Sequence, residues 1–212
     1  MSEPLVSCRS VARTFGAGHT AVVAVHGVDC DVDLGARIAI TGPSGSGKST
    51  LVHLMAGLDT PTAGTLTRRG TVGVVFQGPS LLPALDVVEN TMTPLLLEGV
   101  PPVDARARAL EALRLLDLDD LADQLPEELS GGQAQRVAVA RVLAQRPRLI
   151  IADEPTGKLD HRAADHVVSV LLRTADEIGA ALVVSTHDPL VARHFAQRWQ
   201  VRDGALLTGG DR

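Results

Sequence analysis

The sequence predicts an α/β protein with a core of parallel strands and helices, an N-terminal antiparallel β layer and an inserted helical subdomain. Three observations carry that prediction. After residue 36, short apolar runs alternate with helical periodicity, the pattern of strand–helix units around a parallel sheet. Two Val-rich stretches with alternating polarity precede them. Between about Pro79 and Pro147 no convincing strand is found.

Taken in order, Leu5–Phe15 and Ala21–Asp33 alternate as strands of a half-buried antiparallel layer do. Arg37–Thr41 is a short apolar strand running into a glycine-rich turn. From Lys48 to Leu58, the spacing of Leu51, Leu54, Met55 and Leu58 is helical. Gly64–Arg68 and Thr71–Phe76 read as a hairpin turning at Arg69-Gly70. Asp104 caps a helix to about Leu116, with Leu110, Leu113 and Leu116 on one face; Ser130 caps another that ends near Gln145, before Pro147. Leu149–Ala152 is a buried-type strand, His161–Ile178 a helix, Ala181–Ser185 a further apolar strand, and a short helix starts at Pro189. Asp203-Gly204 marks a final hairpin-like turn. The expected organisation is one domain over 1–212, its core at about 1–78 and 148–212 and its helical subdomain at about 79–147.

Composition narrows the function. With 212 residues, 45% hydrophobic and 21% charged, the chain can bury a proper core and is not a disordered one. A net charge of −5 argues against nonspecific nucleic-acid binding or docking on anionic lipid. Aromatic residues are 2% with no Tyr, which disfavours a stacking surface for single strands. No run approaches the ~20 apolar residues that cross a bilayer. Met1-Ser2-Glu3-Pro4 lacks a secretory pattern. Cys8 and Cys30 have neither CxxC nor metal spacing, so a reduced, cytoplasmic setting is expected. Positive charge is carried by 18 Arg and only 2 Lys. Lys48 therefore stands where a compact ammonium is required, whereas Lys158 reads as solvated surface.

The chemistry starts at Gly42-Pro43-Ser44-Gly45-Ser46-Gly47-Lys48-Ser49, which matches GxxxxGK[ST] between a predicted strand and helix. Glycines let the backbone curl so that its N–H groups surround a phosphate. The helix N-terminus adds its dipole, Lys48 reaches the outer phosphates, and the Ser49 hydroxyl can ligate Mg²⁺. Spacing of Gly42, Gly45 and Gly47 excludes the dinucleotide fingerprint GxGxxG. Downstream, Leu149-Ile150-Ile151-Ala152-Asp153-Glu154 is an apolar strand ending in two carboxylates. Strand alternation would turn Asp153 toward the metal and Glu154 toward the attacking water as general base. Leu129-Ser130-Gly131-Gly132-Gln133 opens a further helix, a second anion-receiving N-terminus.

Together these pieces resemble the ATP-binding cassette (ABC) family, and the fold implied is a P-loop NTPase core of the ABC ATPase type. Gly42–Ser49 is similar to its Walker A motif, Leu129–Gln133 to its signature, and Leu149–Glu154 to its Walker B motif. Gln77 stands at the Q-loop, Leu159-Asp160 at the D-loop, and His187 in Ser185-Thr186-His187-Asp188 at the switch position. The motifs follow the family order over nearly the whole chain. The resemblance implies ATP and Mg²⁺ as cofactors, with Gly42 to Thr50 around the phosphates. Ser49, Gln77 and Asp153 would be near the metal, and Lys48, Gln77, Glu154 and His187 would act in hydrolysis. It also implies a head-to-tail homodimer in which Ser130, Gly131, Gly132 and Gln133 cap ATP held by the partner, with Asp160 at the interface. Phe15, in a region where the family stacks an aromatic on adenine, either stacks or packs in the core. His19, His26, His53, His161, His166 and His194 match no motif.

One cassette without a further domain resembles a separate ATPase subunit, peripheral on the cytoplasmic face and bound to integral-membrane permease subunits. Pro155-Thr156-Gly157-Lys158-Leu159-Asp160 is similar to the lipoprotein-release, macrolide-export and cell-division group. The same residues would serve a mechanotransmission ATPase that moves no substrate; a cassette acting on nucleic acid is disfavoured by charge. Only 29 positions separate Lys48 from Gln77, shorter than is usual for the family, so the β layer is expected to be trimmed.

Overall fold

The computed structural model describes residues 3–208, and side-chain alternation along its central strands divides the interior into two apolar layers. In chain order, the elements are β1 (Val6–Phe15), β2 (Val22–Val32), β3 (Arg37–Thr41), α1 (Lys48–Ala56), β4 (Ala63–Arg68) and β5 (Val72–Val75). There follow α2 (Val87–Leu97), α3 (Pro102–Arg114), α4 (Gly131–Gln145), β6 (Leu149–Asp153), α5 (His161–Glu177) and β7 (Ala181–Ser185). The last are α6 (Pro189–Ala192), β8 (Gln197–Arg202) and β9 (Ala205–Thr208). One sheet has the order β5-β6-β7-β3-β8-β9, parallel throughout except for β9; the other, β2-β1-β4, is antiparallel.

Ile38, Ile40, Leu149, Ile151, Ala181 and Val183 face the layer closed by α1 and the β1–β2 pair. Ala39, Ile150, Ala152, Leu182 and Val184 face the other layer, closed by α4 and α5 and continuous with α2 and α3. A strand buried on both faces needs an unbroken apolar run, and β6 and β7 have one. Each fully buried Leu or Ile contributes about 1.5–3 kcal/mol. Cys8 and Cys30, unremarkable in sequence, stand directly opposite each other on β1 and β2 and are both buried. Hydrogen bonding between the thiols and burial push that of Cys30 far above its usual range.

Two expectations are corrected, and one helix was not foreseen. Gly64–Arg68 and Thr71–Phe76 do not form a hairpin: β4 pairs with β1, and β5 pairs in parallel with β6. Apolar alternation set the strands, but sheet partner is a tertiary choice, and Gly70 at φ +82° turns the chain from one sheet to the other. Asp104 is no cap; α3 starts at Pro102, with its N-cap at Pro101, and Asp104 lies in the first turn. Helix α2 was not anticipated. Its start signal is the capping box of Asp86 and Glu89, each side chain accepting the other's backbone N–H at 2.7 and 3.0 Å. The turn at Asp203-Gly204 does join an antiparallel pair, β8 and β9.

Asp86→Ala should lower stability by about 1 kcal/mol through loss of the cap, read as a fall in thermal midpoint. An unchanged midpoint would show that α2 is held by packing alone.

Candidate active site

Parallel register brings the carboxyl ends of β3, β6 and β7 together, since Ser185 pairs with both Ile40 and Asp153. Gly42 to Ser49 link β3 to α1 in a loop whose glycines Gly42, Gly45 and Gly47 adopt φ of +151°, +74° and +100°. A Cβ on Gly42 would lie 2.1 Å from the Val201 carbonyl oxygen, and one on Gly47 2.2 Å from that of Ala24. Glycine is thus required twice over, by conformation and by space. Lys48 is buried, and its ammonium donates to the carbonyls of Gly42 at 2.8 Å and Pro43 at 2.9 Å. Among the described residues the buried Ser46 hydroxyl has no hydrogen-bond partner, and α1 begins without a side-chain cap. Its first N–H groups are therefore free to receive an anion.

Across the cleft, Asp153 accepts from the Ser185 hydroxyl and lies with Oδ1 3.2 Å from Ser49 Oγ. Glu154 is not aimed by strand alternation. Strand β6 ends at Asp153, and Glu154 takes φ +47°, a left-handed conformation costing a non-glycine residue about 1–2 kcal/mol. Its N–H donates to the carbonyl and hydroxyl oxygens of Ser185, both at 3.1 Å, which holds the turn. The carboxylate then sits between His187 Nδ1, 3.3 Å from Oε1, and Gln77 Nε2, 3.4 Å from Oε2. Ser44 to Thr50, Gln77 and Glu154 line one cleft with Ala24.

The remaining predicted residues lie elsewhere. Ser130 caps α4 in a reciprocal box: its hydroxyl accepts from Gln133 N at 3.2 Å, and its N–H donates to Gln133 Oε1 at 2.7 Å. A Cβ on Gly132 would come within 3.2 Å of Leu159 Cδ2, so the signature packs beside Leu159-Asp160. Asp160 caps α5 by accepting from Ala163 N at 2.9 Å. Neither this group nor Phe15 lines the cleft. Phe15 is 43% exposed, with the Arg13 guanidinium 4.5 Å from its ring centre, which excludes the core reading.

Several contacts escaped the sequence. Gln135, fully buried on α4, donates to the Phe76 carbonyl at 3.1 Å, and Arg141 donates to the carbonyls of Ser80 at 3.0 Å and Pro79 at 3.3 Å. Burial lowers the Arg141 guanidinium from its ordinary range. Asn90 on α2 accepts from Leu82 N at 2.7 Å and donates to the Leu85 carbonyl at 2.7 Å. The segment from Phe76 to Leu85 is thus fastened to α2 and to α4, the helix that begins at the signature. A polar residue amid the apolar positions of α4 was the only signal for Gln135. His53, unassigned above, faces Asp153.

The family model for the ABC transporter domain matches residues 25–157. The lipoprotein-releasing system ATP-binding protein LolD of Legionella pneumophila (strain Paris) is 37% identical over 223 residues, covering 97% of this chain and 98% of that protein. The ATP-binding cassette MJ0796, solved as a dimer in a post-hydrolysis state bound to ADP and Pi, superposes with a TM-score of 0.90 at 34% identity. That match covers 97% of this chain and all of the other. The cassette cbiO1 of Clostridium perfringens, part of the complex cbiONQ, gives a TM-score of 0.83 at 26% identity over 99% of this chain and 89% of its own. Likeness that runs nearly end to end, over a cleft built around a phosphate loop, makes this chain an ATP-hydrolysing cassette of the ABC transporter family, in keeping with the lipoprotein-release, macrolide-export and cell-division group.

Proposed function

We propose that the chain is the ATPase subunit of a transporter, closing head to tail with a second copy around two ATP molecules to drive a separate membrane permease. One observation carries the reading: among the described residues of a single chain, a phosphate loop and a carboxylate line the cleft but no cap does, while the Ser130–Gln133 N-terminus packs beside Leu159 and outside it. Two helix N-termini that each attract anions, placed on opposite sides of one triphosphate, hold surfaces together that would otherwise separate. The dimeric state of the similar cassette MJ0796 supports this arrangement.

On this reading, the backbone of Gly42, Pro43, Ser44, Gly45, Ser46 and Gly47 surrounds the phosphates with Thr50, and the Lys48 ammonium exchanges a loop carbonyl for a phosphate oxygen. Phe15, exposed at the end of β1, offers a face to adenine. Ser49 Oγ and Asp153 Oδ1, hard oxygen donors 3.2 Å apart, fit Mg²⁺ with Gln77 nearby. Bound there, the ion would neutralise charge on the β- and γ-phosphates. Glu154 is the general base, poised by Gln77 and His187, and His187 then turns to the γ-phosphate. Asp160, at the edge of the signature, joins the two protomers.

No helix among the described residues is long and apolar enough to cross a membrane. The permease is a separate chain, and the cassette lies against it on the cytoplasmic face. The exposed Leu96, Leu97 and Val103 on α2 and α3 give it an apolar surface to meet. The LolD relative's role in lipoprotein release supports the transporter reading.

Glu154→Gln should retain ATP binding, lose turnover by at least about 10²-fold, and elute as a dimer with ATP. Wild-type hydrolysis by this variant would overturn the base assignment. Ser130→Arg should leave nucleotide binding by the monomer near wild type while abolishing the ATP-dependent dimer; loss of monomer binding would contradict the action in trans.

A further inference from the structure

His53 follows Ser49 by one turn of α1, so both side chains leave the same face of the helix. That face meets Asp153. Ser49 Oγ lies 3.2 Å from Asp153 Oδ1, and His53 Nε2 lies 3.6 Å from Asp153 Oδ2. The Asp153 side chain is only 4% exposed. A carboxylate so buried needs donors on both oxygens. The hydroxyls of Ser49 and Ser185 serve Oδ1, and the imidazole faces Oδ2. Phe76 lies beside the ring, tilted at 59° with 6.4 Å between centroids. Phe76 in turn is followed by Gln77 and has its carbonyl held by Gln135.

We infer that His53 is a positioning residue: its Nε2–H holds Oδ2 and turns the Asp153 carboxylate so that Oδ1, beside Ser49, is the oxygen presented to Mg²⁺. The inference rests on the reading of Ser49 and Asp153 as the metal-facing pair. Separations such as this 3.6 Å close to a hydrogen bond when substrate seats. Nothing in the phosphate-loop motif requires a donor at this position, and the role comes only from the way α1 lies against the end of β6.

The test measures binding of a fluorescent ATP analogue to the full chain, first in EDTA and then across a Mg²⁺ series. His53→Leu keeps bulk beside Phe76 and removes the donor. It should bind the analogue normally in EDTA but need about tenfold more Mg²⁺ for half-maximal enhancement. His53→Gln, whose amide nitrogen can reach the place of Nε2, should restore most of the difference. Asp153→Asn serves as the reference. If Asp153→Asn shifts the Mg²⁺ series and His53→Leu does not, the positioning role is overturned and the metal reading stands. If neither shifts it, both are overturned. A lower thermal midpoint with an unchanged Mg²⁺ series would make His53 a packing residue only.

Discussion

Everything at the site depends on the parallel register of β3, β6 and β7. Because Ser185 is paired with Ile40 on one side and Asp153 on the other, three strand ends stop at one level. From that level the phosphate loop leaves β3, the carboxylates leave β6, and His187 follows β7. A slip of one residue in any of these strands would exchange the two apolar layers and carry Asp153 away from Ser49. The alternating burial of Leu149, Ile150, Ile151 and Ala152 between opposite layers is what forbids that slip. The same burial that stabilises the fold therefore sets the chemistry.

The site is tense as well as ordered. Glu154 is held in a left-handed turn by two acceptors on Ser185, and its carboxylate is divided between Gln77 and His187. Lys48 is turned onto the carbonyls of its own loop. On the proposed reading, each of these contacts is exchanged for one to a phosphate or a water when substrate binds. The signature is prepared differently. Ser130 and Gln133 satisfy each other's backbone N–H groups, which fixes the entry to α4 and leaves Gly131 exposed at its tip. Gln135 and Arg141 bind that same helix to the segment following β5, so hydrogen bonds join the stretch that contains Gln77 to the helix that begins at the signature.

Much of this was legible in the sequence, and the parts that were not share a cause. Gly42–Ser49 could be read because a phosphate loop is local: its glycines, lysine and hydroxyl act within one turn of chain. Ser130 could be read as a cap for the same reason, and it caps the helix expected of it; that Asp160 caps α5 was not read from the sequence. The hairpin at Arg69-Gly70 failed because two adjacent strands have no local signal for joining different sheets. Helix α2 carried a local signal in Asp86 and Glu89, but Pro94 within it broke the helical pattern. Strand alternation was expected to aim Glu154, whereas a left-handed turn aims it. Gln135 meets the Phe76 carbonyl, and His53 approaches Asp153, only because the assembled fold brings distant stretches of chain together; Asn90, whose partners are near it in sequence, lacked a signal in the irregular segment before α2.

The central claim is that one ATP is completed by residues of two chains, and complementation tests it most directly. Glu154→Gln has an intact signature and no base; Ser130→Arg has an intact base and no usable signature. Mixed before ATP is added, the two pair so that one composite site contains neither change. The account predicts ATP hydrolysis in the mixture that neither variant shows alone. Mixed dimers as inactive as their parents would contradict it.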